Sequence, residues 1–163
     1  MPKHRDLIYL DTNVLIAWIN NENRPNNEMD GVQYCMDRIE AGEIKAITSV
    51  NTLIEICDGE ITPDKRAFLE RTLGQRRGLE QVGVDHRIAA LAQEIRTFYR
   101  QGDRKLTVPD TTHLATAIHY RADALYTFDG DDLLPLNGNV AGHNLVICKP
   151  PLPSQGKLVF PKL

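Results

Sequence analysis

Four carboxylates stand where one chain could use them together: Asp11, Glu55, Asp110 and Asp129, with Asp131 and Asp132 close behind the last. Alone, each is ordinary. Asp11 reads as a helix cap, Glu55 as an exposed helix residue, Asp110 as a first-turn acid complementing a helix dipole, and Asp129 as part of a glycine-containing turn. Together they have a consequence. Two carboxylates ~4 Å apart repel by about 4 kcal/mol at an effective dielectric near 20. Four stay ionised only beside a compensating cation; otherwise at least one holds a proton. Oxygen donors without an accompanying Cys or His pair favour Mg²⁺ or Mn²⁺ over Zn²⁺. Such an ion binds a phosphodiester, lowers the pKa of a water and steadies the leaving oxygen of an in-line displacement.

The elements around these acids follow from periodicity. Leu7-Ile8-Tyr9-Leu10 reads as a buried strand that delivers Asp11 to its carboxyl end, the edge where open parallel α/β sheets bind ligands. Thr12 to Ile19 is predicted as a helix, Asn20 to Asn27 as a loop, and Met29 to Ala41 as a helix ended by Gly42. Ile44 to Val50 is a second strand, after which Ser49 or Asn51 caps the helix carrying Glu55. Pro63 opens a helix with Phe68, Leu69 and Leu73 on its apolar side, ending in the basic cluster Arg71, Arg76 and Arg77. Val82 and Val84 suggest a third strand, and Asp85 caps a long helix stopped at Gly102. Pro109 and Asp110 start the next helix, whose apolar side takes Leu114, Ala117, Ile118 and the alkyl stem of Arg121. Ala124 to Thr127 and Leu145 to Cys148 are the fourth and fifth strands.

Strands alternating with helices argue for an α/β fold with a mostly parallel sheet of four to five strands covered on both faces. In that topology the ends of strands one, two and four share an edge. Asp110 joins them only if its helix starts over that edge. His113, one turn after Asp110, reads as a structural or solvent-facing histidine, with a place beside the site as the functional alternative. Trp18 reads as core.

The chain has 163 residues, enough for one domain with a real core. Its net charge of -3 argues mildly against a polyanion binder, so any nucleic-acid function needs local basic patches. The three cysteines, Cys35, Cys57 and Cys148, read as small buried hydrophobes in a reducing compartment. Neither a secretory leader nor a bilayer-length apolar run is evident, so the expected location is cytoplasmic, off the membrane. From Lys149 the prolines 150, 151, 153 and 161 predict a non-helical tail, giving a domain over 1–148 and a Pro-rich tail over 149–163.

Four stretches in this order resemble the PIN domain, most closely the VapC-like ribonuclease toxins of bacterial toxin–antitoxin pairs. They are Leu10-Asp11-Thr12-Asn13-Val14-Leu15, Ser49 through Ile56 with Glu55, Pro109-Asp110-Thr111-Thr112-His113-Leu114-Ala115-Thr116-Ala117, and Tyr126-Thr127-Phe128-Asp129-Gly130-Asp131. The resemblance implies a three-layer αβα sandwich and an endoribonuclease dependent on Mg²⁺ or Mn²⁺. It implies that Asp11, Glu55, Asp110 and Asp129 are the catalytic metal carboxylates, with Asp131 an additional acid. Thr127 matches the site-orienting hydroxyl and Asn13 the amide beside the first acid. It further implies a homodimer and a small antitoxin whose C-terminal segment covers the pocket. The chain is longer than many such toxins, and its acidic balance leaves RNA contact to Lys65, Arg66, Arg71, Arg76, Arg77, Arg104 and Lys105. Two other readings compete: a catalytically inert PIN-like module binding RNA or protein, and a haloacid dehalogenase-type phosphatase. The latter needs a second aspartate two residues after the first, where this chain has Asn13.

Overall fold

Alternation along the first strand sets the layers. In β1 (Leu7–Leu10), Ile8 and Leu10 point into one apolar cluster and Tyr9 into the other, as the two-residue period of a strand requires. The computed structural model describes residues 5–56, 61–75 and 78–155. Among them five strands form one sheet in the order β3-β2-β1-β4-β5, and every pairing is parallel. The others are β2 (Lys45–Ser49), β3 (Leu79–Val82), β4 (Ala124–Tyr126) and β5 (Val146–Cys148). On the Ile8/Leu10 face lie α1 (Thr12–Asn20), α2 (Glu28–Glu40), α3 (Asn51–Ile56) and α4 (Pro63–Gln75), contributing Leu15, Met36, Ile39, Ile56 and Leu69 to the core. On the Tyr9 face lie α5 (His86–Gln101) and α6 (Val108–His119), contributing Ile88, Ile95 and Leu114. This is the three-layer αβα sandwich the sequence predicts.

Several boundaries differ from the sequence expectation. β3 ends at Val82, where its carbonyl accepts from Val50 N–H, and Val84 lies beyond it, one-third exposed. α6 begins at Val108 because Thr107 caps it in a reciprocal box with Asp110. Arg121 lies outside that helix, exposed and at φ 55°. Pro25–Asn27 forms a 3₁₀ turn inside the Asn-rich loop. Cys35 is buried, Cys148 is half-buried, and Cys57 lies outside the described residues. The proline-rich end makes a 3₁₀ turn at Pro153–Gln155, and Pro150 and Pro151 are buried. Their carbonyls press so closely on Gly31 of α2 that a β-carbon there would collide with the Pro150 oxygen. Pro161 lies outside the described residues. No described helix is long and apolar enough to cross a membrane.

Candidate functional site

Asp11 caps α1 from the end of the central strand. Its Oδ1 accepts from Thr12 N–H at 2.7 Å and its Oδ2 from the Thr127 hydroxyl at 2.7 Å. The side chain is buried, which pushes its carboxyl pKa up; the His113 charge and the Thr127 hydroxyl pull the other way, and the Glu55 charge adds to the rise. Thr127, one residue past β4, is fully buried. Its oxygen also accepts from Asn13 Nδ2 at 3.2 Å and from Asp129 N–H at 3.0 Å. Asn13 closes the loop by accepting from Phe128 N–H at 3.1 Å. Both ends of its amide are therefore engaged in structure, and no second carboxylate stands at the position the phosphatase reading requires.

Glu55 reaches the same place from α3. Its Oε1 accepts from Thr12 Oγ1 at 2.9 Å and lies 2.6 Å from His113 Nε2. His113 Nε2 is also 3.5 Å from Asp11 Oδ1. On the other side of the ring, Nδ1 lies 2.6 Å from the Tyr9 hydroxyl, which accepts from Ser49 N–H at 3.0 Å. In the neutral ring the Tyr9 proton goes to Nδ1, leaving Nε2–H to donate to Glu55. Burial pulls the His113 pKa down, but the Glu55 hydrogen bond and the Asp11, Glu55 and Asp110 charges outweigh it, and the net shift is upward. Tyr9 is pushed well above its usual value by burial and by the Asp11 charge. This Tyr9–His113–Glu55 chain, buried at the tyrosine and the histidine and half-buried at Glu55, is what the sequence reading missed. The signal available was the two-residue alternation that turns Tyr9 toward α6.

Asp110 sits in the first turn of α6, one turn before His113, and its Oδ2 accepts from Thr107 N–H at 2.9 Å. His113, one turn further along α6, lies against Glu55 and Asp11, and the Asp110 charge adds to the upward shift of its pKa. Asp129 Oδ1 accepts from the backbone N–H groups of Asp131 and Asp132 at 3.0 and 2.9 Å. Asp131 is exposed; Asp132 is the acid whose pKa rises, through burial and then the Asp129 and Asp110 charges.

The basic residues separate. Among the described candidates, Lys65 donates to Asn20 and Arg66 pairs with Glu70, away from the acids' contacts, while Arg71 and Lys105 are exposed. Arg104 donates to the carbonyls of Asp131 and Asp132 at 3.2 and 3.3 Å, beside the acids. Arg76 and Arg77 lie outside the described residues. Arg24, absent from the sequence reading, lies over the Phe128 ring at 3.8 Å and pairs with Glu28, which Lys149 also holds.

The donor set suits a hard divalent cation in type. Among the described residues, one oxygen each of Glu55, Asp110 and Asp129 receives no hydrogen bond. It is not a finished cage, for among the described residues no three Asp, Glu, His or Cys side chains are arranged to hold an ion as they stand.

Comparison by sequence with curated proteins finds no match. Comparison of folds finds similar toxin–antitoxin structures. VapBC2 from Rickettsia felis, solved with a promoter DNA fragment, superposes with TM-score 0.64 at 17% identity, covering 86% of this chain and 96% of that one. DNA-bound VapBC from Salmonella typhimurium gives 0.60 at 20%, covering 88% and 97%. VapC20 from Mycobacterium tuberculosis, described as a toxin cleaving the sarcin-ricin loop, gives 0.57 at 17%, covering 76% and 91%. The profile of the PIN domain matches residues 8–134, which span β1 through the segment after β4 and hold all four acids. The chain belongs to the PIN domain family.

Proposed function

We propose that this protein is a metal-dependent endoribonuclease, the toxin of a toxin–antitoxin pair acting in the cytoplasm. The observation that carries the reading is that His113 lies within reach of both Asp11 and Glu55, while Thr127 joins Asp11 to the Asp129 backbone and Asp110 stands one helical turn before His113. The similar folds come from toxin–antitoxin complexes, which supports a small antitoxin as partner. A homodimer is part of the same reading, as is a nuclease unit over 1–148 with 149–163 appended.

Asp11, Glu55, Asp110 and Asp129, with Asp131 at the rim, would hold Mg²⁺ or Mn²⁺. A bound ion of this kind supplies positive charge to a phosphodiester and lowers the pKa of a water. The chain's own residues do the positioning. Thr127 fixes the Asp11 carboxylate by donating to Oδ2 and is itself held by Asn13. Thr12 and His113 hold Glu55 at Oε1, leaving Oε2 without a donor. Water then attacks phosphorus in line with the departing sugar oxygen, which leaves carrying a proton.

The test is cleavage of an RNA oligonucleotide by the full chain with Mn²⁺, with Mg²⁺ and with EDTA. Cleavage that requires either ion is expected; equal cleavage in EDTA, or none with either ion, overturns the reading. The inert-module alternative draws on one observation, the engagement of Glu55 by His113. Calorimetry that finds no Mg²⁺ or Mn²⁺ binding tighter than millimolar favours it.

A further inference from the structure

Beside the acids, over the carboxyl ends of β2 and β3, lies a cavity of about 500 Å³ between the β3–α5 connection, α5 and the first turn of α6. We propose that this cavity is a separate anion subsite that takes a backbone phosphate of single-stranded RNA flanking the cleaved bond, with Arg96 and Arg100 as its ligands. The proposal rests on the ribonuclease reading above and adds to it a place for the substrate outside the acidic cup.

Three observations carry it. The first is charge: among the described residues, the only formally charged side chains lining the cavity are Arg96 and Arg100, one turn apart on α5. Among the described residues neither is paired with a carboxylate. The second is an orphan. Arg96 Nε is buried with no hydrogen-bond partner, although buried donors are nearly always satisfied. A phosphate oxygen supplies the missing acceptor, and the guanidinium fork matches it. The third is position. Asn51, the first residue of the helix carrying Glu55, lines the cavity, and so do Thr111 and Thr112, which lie between Asp110 and His113. A strand crossing the sheet edge from the acids toward β3 therefore enters it.

The neutral polar lining (Asn51, Gln93, Thr97) offers further donors, and the volume falls within the range of small-ligand pockets. A carboxylate-lined reaction centre on a chain of net charge -3 repels a polyanion. Cations placed one strand away hold the substrate without neutralising the acids.

The experiment measures binding of a fluorescent single-stranded RNA oligonucleotide to the full chain in EDTA, which withholds the ion the proposed reaction requires, across a salt series. Arg96→Gln and Arg100→Gln are each expected to weaken binding roughly tenfold and to reduce the salt slope, by about 0.7 in all when both are replaced, one single-strand phosphate contact. R100Q, on an exposed side chain, keeps the test decisive if R96Q fails to fold. Unchanged affinity and slope in R100Q and in folded R96Q overturn the subsite and leave the nuclease reading standing. Weakened RNA binding by the variants, in a wild-type chain that cuts no RNA, supports the subsite and overturns the nuclease. Loss of affinity for an oligoglutamate probe with RNA binding unaltered overturns the proposal and gives the cavity to an acidic peptide.

Discussion

His113 Nε2 lies 2.6 Å from Glu55 Oε1, joining the first turns of α6 to α3 across the sheet edge. Since Nδ1 meets Tyr9 at the same distance, the imidazole is fixed from both ends. Glu55 thus owes its placement to two helices, through Thr12 of α1 and His113 of α6, with Tyr9 of β1 behind the imidazole.

His113→Ala removes both contacts and leaves the Tyr9 hydroxyl with an unmatched proton in a fully buried place. Urea denaturation at pH 7 is expected to find about 3 kcal/mol lost. Tyr9→Phe, which strands the Ser49 N–H instead, is expected to cost about 2 kcal/mol. A His113→Ala chain as stable as wild type would remove the structural role assigned to this pair.

Asp11→Asn is expected to lower cleavage by on the order of 100-fold or more while the fold persists. One of the two hydrogen bonds to the carboxylate must go, because an amide presents only one accepting atom to Thr12 N–H and the Thr127 hydroxyl. The stability cost is then about 1 kcal/mol. Circular dichroism and a melting curve separate this outcome from unfolding. Full cleavage by the variant would count against the mechanism.

Thr127→Val and Thr127→Ser form a pair. Valine keeps the shape and deletes an oxygen that donates to Asp11 and accepts from Asn13 and Asp129 N–H. Loss of about 2–3 kcal/mol and most of the activity is expected. Serine restores the oxygen and should recover most of both. If serine fares no better than valine, the hydroxyl is not what matters.

The fold was legible where local chemistry decides it, as in the run ending at Asp11 and the Asp85 cap, which accepts from Ile88 N–H. β3 was displaced because Val84 looks like a strand residue, whereas the ladder closes at Val82 when its carbonyl meets Val50. The start of α6 is written in the Thr107–Asp110 spacing, a capping box that sets the first helical residue at Val108, one before the proline. The convergence of the acids could be framed from topology. The partner of Glu55 could not, since the Tyr9–His113 contact spans 104 residues and a lone helical histidine has no directional signature. The surroundings of Arg24 and Arg96 were hidden for the same reason, since their neighbours come from remote segments, whereas Arg104 already stood among the candidates for RNA contact.

Glu28 offers a pH test away from the acids. Burial alone would raise its pKa, but hydrogen bonds and charge from Lys149 and Arg24 outweigh it and hold the carboxyl below the usual 4.5. A depressed folded value means stability that is present above the unfolded pKa and lost as pH falls through the folded one. Wild type and Glu28→Gln should therefore differ most near neutrality and converge in acid. A gap that stays constant from pH 7 to pH 3 would show that the pair contributes nothing through ionisation.

Gly31→Ala places a methyl group against the Pro150 carbonyl. About 1–3 kcal/mol of destabilisation is expected, with faster proteolysis near residue 150 than in wild type. An unchanged digestion pattern and melting temperature would mean the segment does not depend on that approach.

The strand order has a temporal reading. β1 lies between β2 and β4, so the ribosome completes Asp11 and Glu55 while one edge of the central strand still awaits Ala124–Tyr126. Thr127 and Asp129 follow only after that strand is made. Half-translated protein therefore lacks two of the groups on which the candidate site is built, and a chain abandoned early carries that site incomplete.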